Sequence, residues 1–510
     1  MLRPFAALDA LLVTGALGLA LALFWARQWQ IAGTPGLSSF PLDDSWIHLQ
    51  FARNIAEGHG FAYNPGVPVG GSTAPLWTLT VAAAFALFGA HPLWAKVAGI
   101  LATLATALVT VRLAERWTGE RWLGVLAGVL TATAGPIVWG ALSGMEVSLA
   151  ALLVTAALLA HTAGSDWTTA VLLGLAALSR PESLLLVPLV WLARPVTWRR
   201  TAIFAGVTAV CLAPWAAFNL VTVGSPLPAT AAAKVNGGLI GLFSGARETA
   251  RSALFERPRR FEWEWLGWLR SVNLLLPVLI LLGLFVLWRH RGRALVVPAI
   301  ALVVHPIGMA LLAPFQGPAF QEGRYSIHLL PLAIAVAVTA LSALARWPRV
   351  RVALAAALLI ASVAAAPRAA ERYAWGVQNI DAMQVHLGRW VAEHTAPDAL
   401  LALNDVGAIA YVSRRQVLDL MGLVTPAIIP YRRQGEAGVL RYLEQACPDY
   451  LIVFPPWFPE ISAMTDRFTP LYRRRLDHNT VAGWNEMVVY RTPWNRALPA
   501  PAACPGRPRV

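Results

Sequence analysis

Pro41-Leu42-Asp43-Asp44-Ser45-Trp46-Ile47-His48 follows the first long apolar run of the chain and sets two adjacent carboxylates at its end. Acids beside hydrocarbon are costly, and only 13% of the 510 residues are charged, so a pair at this position points to function. The apolar run before it, Leu11 to Ala26, is too long for a signal peptide and lacks a small-residue cleavage pattern. It is expected to remain as an anchor.

Working outward, 57% of residues are hydrophobic, and bilayer-length apolar runs recur as far as Ala366. Spans are predicted at 8–26, 74–90, 94–113, 122–141, 145–162, 168–193, 201–221, 271–288, 294–313, 325–344 and 351–366. The 168–193 run is broken at Ser179-Arg180-Pro181-Glu182 and reads as two short helices meeting at a polar point. The predicted fold class is therefore mainly α: a polytopic transmembrane helical bundle of about 11–12 spans, with a small C-terminal α/β extracytoplasmic domain. The expected domains are 1–368 for the membrane part and 369–493 for the soluble part, with 494–510 as a disordered tail rich in Pro, Ala and Arg. Within the membrane part, 27–73 and 222–269 form external loops.

A formal net charge of +14 could suggest nucleic acid, but the arginines gather at span ends: Arg194, Arg199, Arg200; Arg289, Arg291, Arg293; Arg346, Arg349, Arg351. That is the positive-inside pattern, and nucleic acid is set aside as a partner. It places these loops in the cytoplasm, and the segments 27–73, 222–269, 314–323 and all after 366 on the other side. Arg112 to Arg121 conflicts with it, because simple counting puts this basic stretch outside. Either the rule fails there or 74–113 holds a re-entrant pair. The three cysteines give no metal spacing, and Cys447 with Cys504 is the one plausible bridge.

In the tail, Met383 to Ala392 reads as a helix, and 399–403 and 450–454 as buried strands. After the first span, a helical wheel gathers Asp43, Gln50, Arg53, Asn54 and Glu57 on one face and Leu49, Ala52, Phe51 and Ile55 away from it. This predicts an amphipathic helix lying on the membrane surface. Asp43 or Asp44 would serve as its N-cap; if one is only a cap, Asp44 is expected. The helix ends at Glu57-Gly58-His59-Gly60, and Gly70 to Trp77 leads back into the membrane.

The run from Asp43 through Gly60, with Gly71-Ser-Thr-Ala-Pro-Leu-Trp77, resembles the first external loop of GT-C glycosyltransferases, which are integral-membrane enzymes using lipid-linked sugars. The likeness is nearest to bacterial arabinofuranosyltransferases and looser to protein O-mannosyltransferases and lipid A aminoarabinose transferases. Further similar segments are Gly174 to Glu182, Gly224 to Lys234 (with Ala229 in place of the family's asparagine), Gly323-Arg324-Tyr325 with Pro331, and Asn404 to Tyr411 with Asp419 to Leu423. The resemblance implies transfer from a polyprenyl-phosphate-sugar donor to a cell-envelope acceptor on the external face of the inner (cytoplasmic) membrane, with inversion. Asp43 and Asp44 are then the catalytic residues.

A phosphate leaving group calls for fixed positive charge. Lys234, Arg324 and Arg53 are the candidates, against plain readings as a solvated loop lysine and a snorkelling arginine. Substrate contacts are expected, with less weight, from His48, Asn54, Glu57, His59, Glu146, Arg180, Glu182 and Tyr325. Arg180 and Glu182 read equally as a pair across a proline break, and Glu146 as a helix-start residue. No cofactor is expected, and a divalent metal stays open. Two rival readings remain: a transporter or flippase of a lipid-linked sugar, and a non-enzymatic scaffold with a glycan-binding domain.

Overall fold

The predicted spans fall largely on helices in the computed structural model, which describes residues 7–33, 36–234, 238–243, 249–312, 316–499, 502 and 504. Five helices are long and apolar enough to cross a bilayer: α1 (Ala7–Ala32), Leu93–Thr118, Trp198–Val223, Arg293–Leu312 and Pro348–His394. Two pairs bent by 55° and 105°, Arg121–Thr133 with Gly135–Leu142 and Ser252–Val272 with Leu276–His290, raise the number among the described residues to seven if each pair is counted as one span. Shorter apolar helices complete the bundle, and the break at Ser179 to Glu182 falls where Pro181 interrupts the hydrogen-bond ladder. The chain is a polytopic membrane protein with a small mixed sheet at its C-terminal end.

The conflict over Arg112 to Arg121 resolves in the packing. Arg121 pairs with Asp9 at 2.8 Å, Arg351 with Glu120, and Arg291 donates to the Thr118 carbonyl at 2.8 Å. Trp117 reaches Thr162 at 3.1 Å. The chain start and the basic loops at 119–121, 289–293 and 346–351 thus share one face. The helix before this stretch removes the miscount. After α2 (Asp43–Ala56) comes α3 (Pro75–Phe88), whose 14 residues span about 21 Å, short of a bilayer core of about 30 Å. It lies along α2, with Thr78 bonded to His48 at one end and the Ala90 carbonyl meeting Tyr411 Oη at 3.4 Å just past the other. Both ends of α3 are on the face opposite the basic loops, so α4 (Leu93–Thr118) is the second crossing.

The last span does not end at 366. Pro348 to His394 is one helix of 47 residues that carries Pro367 and a wider turn at Asp381–Val385. The fall in hydropathy near 369 is a change of surroundings along a continuous rod. Beyond it, β1 (Leu400–Leu403), β2 (Gln416–Asp419), β3 (Tyr450–Val453), β4 (Thr469–Arg475) and β5 (Glu486–Arg491) form a sheet in the order β2-β1-β3-β5-β4. β1 pairs in parallel with β2 and β3, and β5 pairs antiparallel with β3 and β4. Cys447 and Cys504 are joined in a disulfide, and Arg496 pairs with Asp449 at 3.0 Å, so the start of the expected tail is tied to this sheet; most of 500–510 lies outside the described residues.

The helix expected on the membrane surface is instead enclosed. Ser45 through Asn54 are all buried, and Ile47, Phe51, Tyr63 and Val69 share a core with Leu401, Leu403 and Val417 of the sheet. Its polar stripe meets backbone carbonyls rather than water: Gln50 and Asn54 donate to Tyr63, Asn54 also to Ala62, and Arg53 to Tyr411 at 2.8 Å. Asn64 then pairs both ways with the backbone of Val417, occupying the free edge of β2. Polar groups this deep are stable because each finds a partner.

Candidate active site

Between α2 and the sheet lies a cavity of about 400 Å³, within the range of small-molecule sites. Asp43 and Asp44 line it from α2, Gln321 and Arg324 from the segment before the Ile327–Ser342 helix, Gln384 from the long helix, and Asp405 from the turn after β1.

Both aspartates sit in the first turn of α2, whose N-cap is Leu42 with no side-chain cap bond, so neither caps its own helix. Asp43 caps another one. Its two oxygens accept the backbone N–H groups of Gly407 and Ala408, each at 2.7 Å, at the start of helix Gly407–Ser413. The expectation that Asp44 would be the cap is therefore reversed. Gly407 is required here, because a Cβ on it would lie 2.0 Å from the Asp43 carbonyl oxygen. Burial pushes the Asp43 carboxyl up to about 6, against the lowering effect of the Ala408 and Gly407 N–H groups and with a further push from Asp44. Burial, then the Asp43 charge, raise Asp405 well above the usual carboxylate range.

Asp44 faces a different partner. Arg324 Nη2 lies 2.8 Å from its Oδ2, and Arg324 Nη1 donates to Gln321 Oε1 at 2.7 Å. Gln321, Glu322 and Gly323 all have positive φ (47°, 61° and 79°), an uncommon run for two non-glycine residues. Glu322 is held there by Arg372 and by Trp268, whose Nε1 donates to its carbonyl at 3.1 Å. Arg324 is 5% exposed, and its Nε–H has no acceptor among the described residues.

A buried polar network backs this pair. His48 bonds Thr78 at 3.0 Å and Glu146 at 3.3 Å; Glu146 pairs with Arg180, and Arg180 with Glu182 at 3.0 Å. The Arg180 and Arg324 guanidinium carbons lie 4.7 and 5.3 Å from the centre of the Tyr325 ring. His48, Asp44 and Arg324 also line a second, smaller space of about 30 Å³. The structure thus brings Asp43, Asp44, Arg324 and Tyr325 to the cavity, with His48, Glu146, Arg180 and Glu182 behind them.

Four expected residues are elsewhere. Arg53 is turned toward Tyr411, its carbon 4.4 Å from the ring, and does not line the cavity. Asn54 holds the turn at 62–63, His59 is exposed, and Glu57 pairs with Arg414 at 3.6 Å at the helix end. The wheel that gathered Arg53, Asn54 and Glu57 was correct as geometry, but that stripe serves the joint with the sheet domain. The Lys234 side chain lies outside the described residues; its neighbour Ala233 lines the cavity. Sequence reasoning missed Gln384, Asp405, Arg432 and Trp457, all on the cavity wall. Asp405 had a signal in the polar turn Asn404-Asp405-Val406-Gly407; the others had none. Among the described residues no three His, Cys, Asp or Glu side chains converge as metal ligands.

Residues 378–496 match a family model described as a domain of unknown function, DUF8728. No curated protein matches the chain by sequence. Among solved structures, ArnT from Cupriavidus metallidurans bound to undecaprenyl phosphate is 14% identical, with 94% of this chain and 97% of that chain covered and a TM-score of 0.57. The archaeal oligosaccharyltransferase AglB from Archaeoglobus fulgidus, in complex with an inhibitory peptide and a dolichol-phosphate, is 14% identical over 94% of this chain and 74% of that one, TM-score 0.56. Arabinofuranosyltransferase AftD from Mycobacteria is 17% identical over 94% and 40%, TM-score 0.46. The fold is GT-C.

Proposed function

We propose that this GT-C-fold membrane protein is a glycosyltransferase that takes a sugar from a polyprenyl-phosphate donor and passes it to a cell-envelope hydroxyl in one inverting step. The observation that carries the reading is the meeting of Asp43, Asp44 and Arg324 in one cavity at the rim of the bundle, facing away from the basic loops. The positive-inside rule puts those loops in the cytoplasm and the cavity on the periplasmic or extracellular side of the inner membrane. The lipids named with ArnT and AglB, undecaprenyl phosphate and dolichol-phosphate, are ligands of the kind that suits this rim.

The chemistry follows from the two unlike aspartates. Asp43, held by two N–H groups but raised by burial, is a stronger base than an ordinary aspartate and keeps lone pairs free to accept a proton. It takes the proton of the acceptor hydroxyl as that oxygen bonds to the anomeric carbon. The bond from that carbon to the donor phosphate breaks, and its electron pair leaves with the polyprenyl phosphate. Asp44, neutralised by Arg324, is the poorer base; it fixes the guanidinium that stabilises the leaving phosphate. Lys234, following Ala233, is a second candidate for that phosphate. No step calls for a metal.

Mass spectrometry of the purified protein, together with envelope glycans from a deletion strain complemented with wild type or Asp43→Asn, tests the reading. A co-purifying polyprenyl-phosphate sugar and a glycan restored only by wild type are expected. Normal glycans with Asp43→Asn, or a product that keeps the donor's anomeric configuration, would overturn it.

A further inference from the structure

Two buried atoms at the cavity lack hydrogen-bond partners among the described residues, and they are of opposite kind. One is the donor Arg324 Nε–H; the other is the acceptor Gln384 Oε1, on a residue with no solvent exposure at all. Gln384 Nε2 donates to Asp405 Oδ2 at 2.8 Å, and the amide oxygen is the atom left over. A buried acceptor without a donor is unfavourable, and a ligand hydroxyl would supply the missing hydrogen bond. Asp405 adds its carboxyl group beside it, with Asn404 3.5 Å from its other oxygen. Across the same wall, Trp457 is 40% exposed, with its indole nitrogen engaged by the Gly483 carbonyl at 3.3 Å. That bond holds the partly exposed ring at the cavity edge. Arg432, anchored on the Met421 carbonyl at 2.9 Å, completes the side.

We infer that Gln384, Asp405 and Trp457 form a sugar subsite, built by the long helix and the sheet domain, that receives the hydroxyls of one saccharide ring while Trp457 covers its apolar face. The inference rests on the proposed transferase reading and adds a direction to it. Phosphate belongs at the end with the orphan donor, Arg324, and hydroxyls at the end with the orphan acceptor, Gln384. A fatty acyl group, which has no donor hydrogen, would leave that acceptor unmatched. The ring could belong to the donor or to the acceptor, since both present the same chemistry.

The test uses the full-length protein in lipid nanodiscs, with Trp457→Ala and the near-isosteric Gln384→Met. The probes are undecaprenyl phosphate, an undecaprenyl-phosphate-linked hexose or pentose, and free methyl glycosides. Binding of the lipids is read by native mass spectrometry and of the glycosides by saturation-transfer NMR. If the ring is the acceptor's, methyl glycosides bind, and both variants weaken them at least tenfold while undecaprenyl phosphate binds as before. If it is the donor's, the sugar-bearing lipid binds more tightly than the bare one, and both variants abolish that difference. Bare lipid binding with no effect of either variant on any sugar overturns the subsite and leaves the transferase reading standing. Failure of every probe on wild-type protein overturns both.

Discussion

Asp43 and Gly407 are 364 positions apart, yet the carboxylate of one accepts the backbone N–H of the other at 2.7 Å. This bond, with those of Arg53 to Tyr411 and Asn64 to Val417, joins the loop after the first span to the sheet domain, and it aims the proposed base.

Replacing Asp43 by Asn keeps the side-chain volume but removes the base. Transfer should fall by about 10²–10⁴ in kcat, the usual range for general base catalysis. Asn Oδ1 can keep one of the two bonds from Gly407 and Ala408 but not both, which should change stability by about 0.5–1.5 kcal/mol. A radiolabelled-donor assay with a thermal melt in detergent separates the two effects, and a variant with full turnover refutes the role.

The raised carboxyl predicts two opposite pH responses. Activity should decline tenfold per unit below an apparent value of about 6, as the base becomes protonated. Stability should run the other way. The group's ordinary value is 3.8, so the folded protein holds this proton more firmly than the unfolded one, and its contribution is largest below that and lost as pH rises through about 6. Melting profiles of wild type and Asp43→Asn between pH 4 and 7 should therefore differ in slope. Parallel profiles would show that Asp43 is not held in this environment.

Gly407→Ala leaves both aspartates in place but puts a methyl 2.0 Å from the Asp43 carbonyl oxygen. A shift of roughly 1 Å at a reacting group costs about 100-fold in rate. The expected variant is inserted and folded, binds the lipid, and turns over about 100-fold more slowly. Wild-type kinetics would mean that the docking of α2 on this helix is dispensable.

Arg324→Lys retains charge but loses the fork that reaches Asp44 and Gln321 together. Removing a charge-assisted hydrogen bond of about 1.5–3 kcal/mol should weaken undecaprenyl phosphate binding roughly 10- to 150-fold. Native mass spectrometry titration measures it, and unchanged affinity would place the phosphate elsewhere.

The position of α3 can be tested by cysteine labelling in a Cys211→Ala background. Cysteines at His59 and His91 should react from the same side of the membrane, and cysteines at Arg116 and Arg199 from the other. Labelling of His91→Cys together with Arg199→Cys would make α3 a true crossing.

The helices were legible from the sequence because apolar runs leave little choice in a bilayer, and strands β1 and β3 because they are buried continuously. β4 and β5 were not, since β4 carries Arg473, Arg474 and Arg475 on a half-exposed strand that looks like loop. The two aspartates and Arg324 stood out because charge is scarce near them. Gln384 and Trp457 gave no signal: one is an ordinary polar residue on an amphipathic helix, the other one tryptophan among 22. The direction of the α2 stripe was misread for a physical reason. Periodicity says which residues share a face, and it does not say whether that face meets water or another domain.

The helix from Pro348 to His394 sets a phase relation between the two halves of the molecule. An α-helix turns about 100° and advances about 1.5 Å per residue. A one-residue insertion near Ile360 would therefore swing Gln384 and the whole sheet off the aspartates, although no residue at the cavity had changed. The alignment of the two walls is stored as a residue count along this rod, which makes its length as constrained as the chemistry it carries.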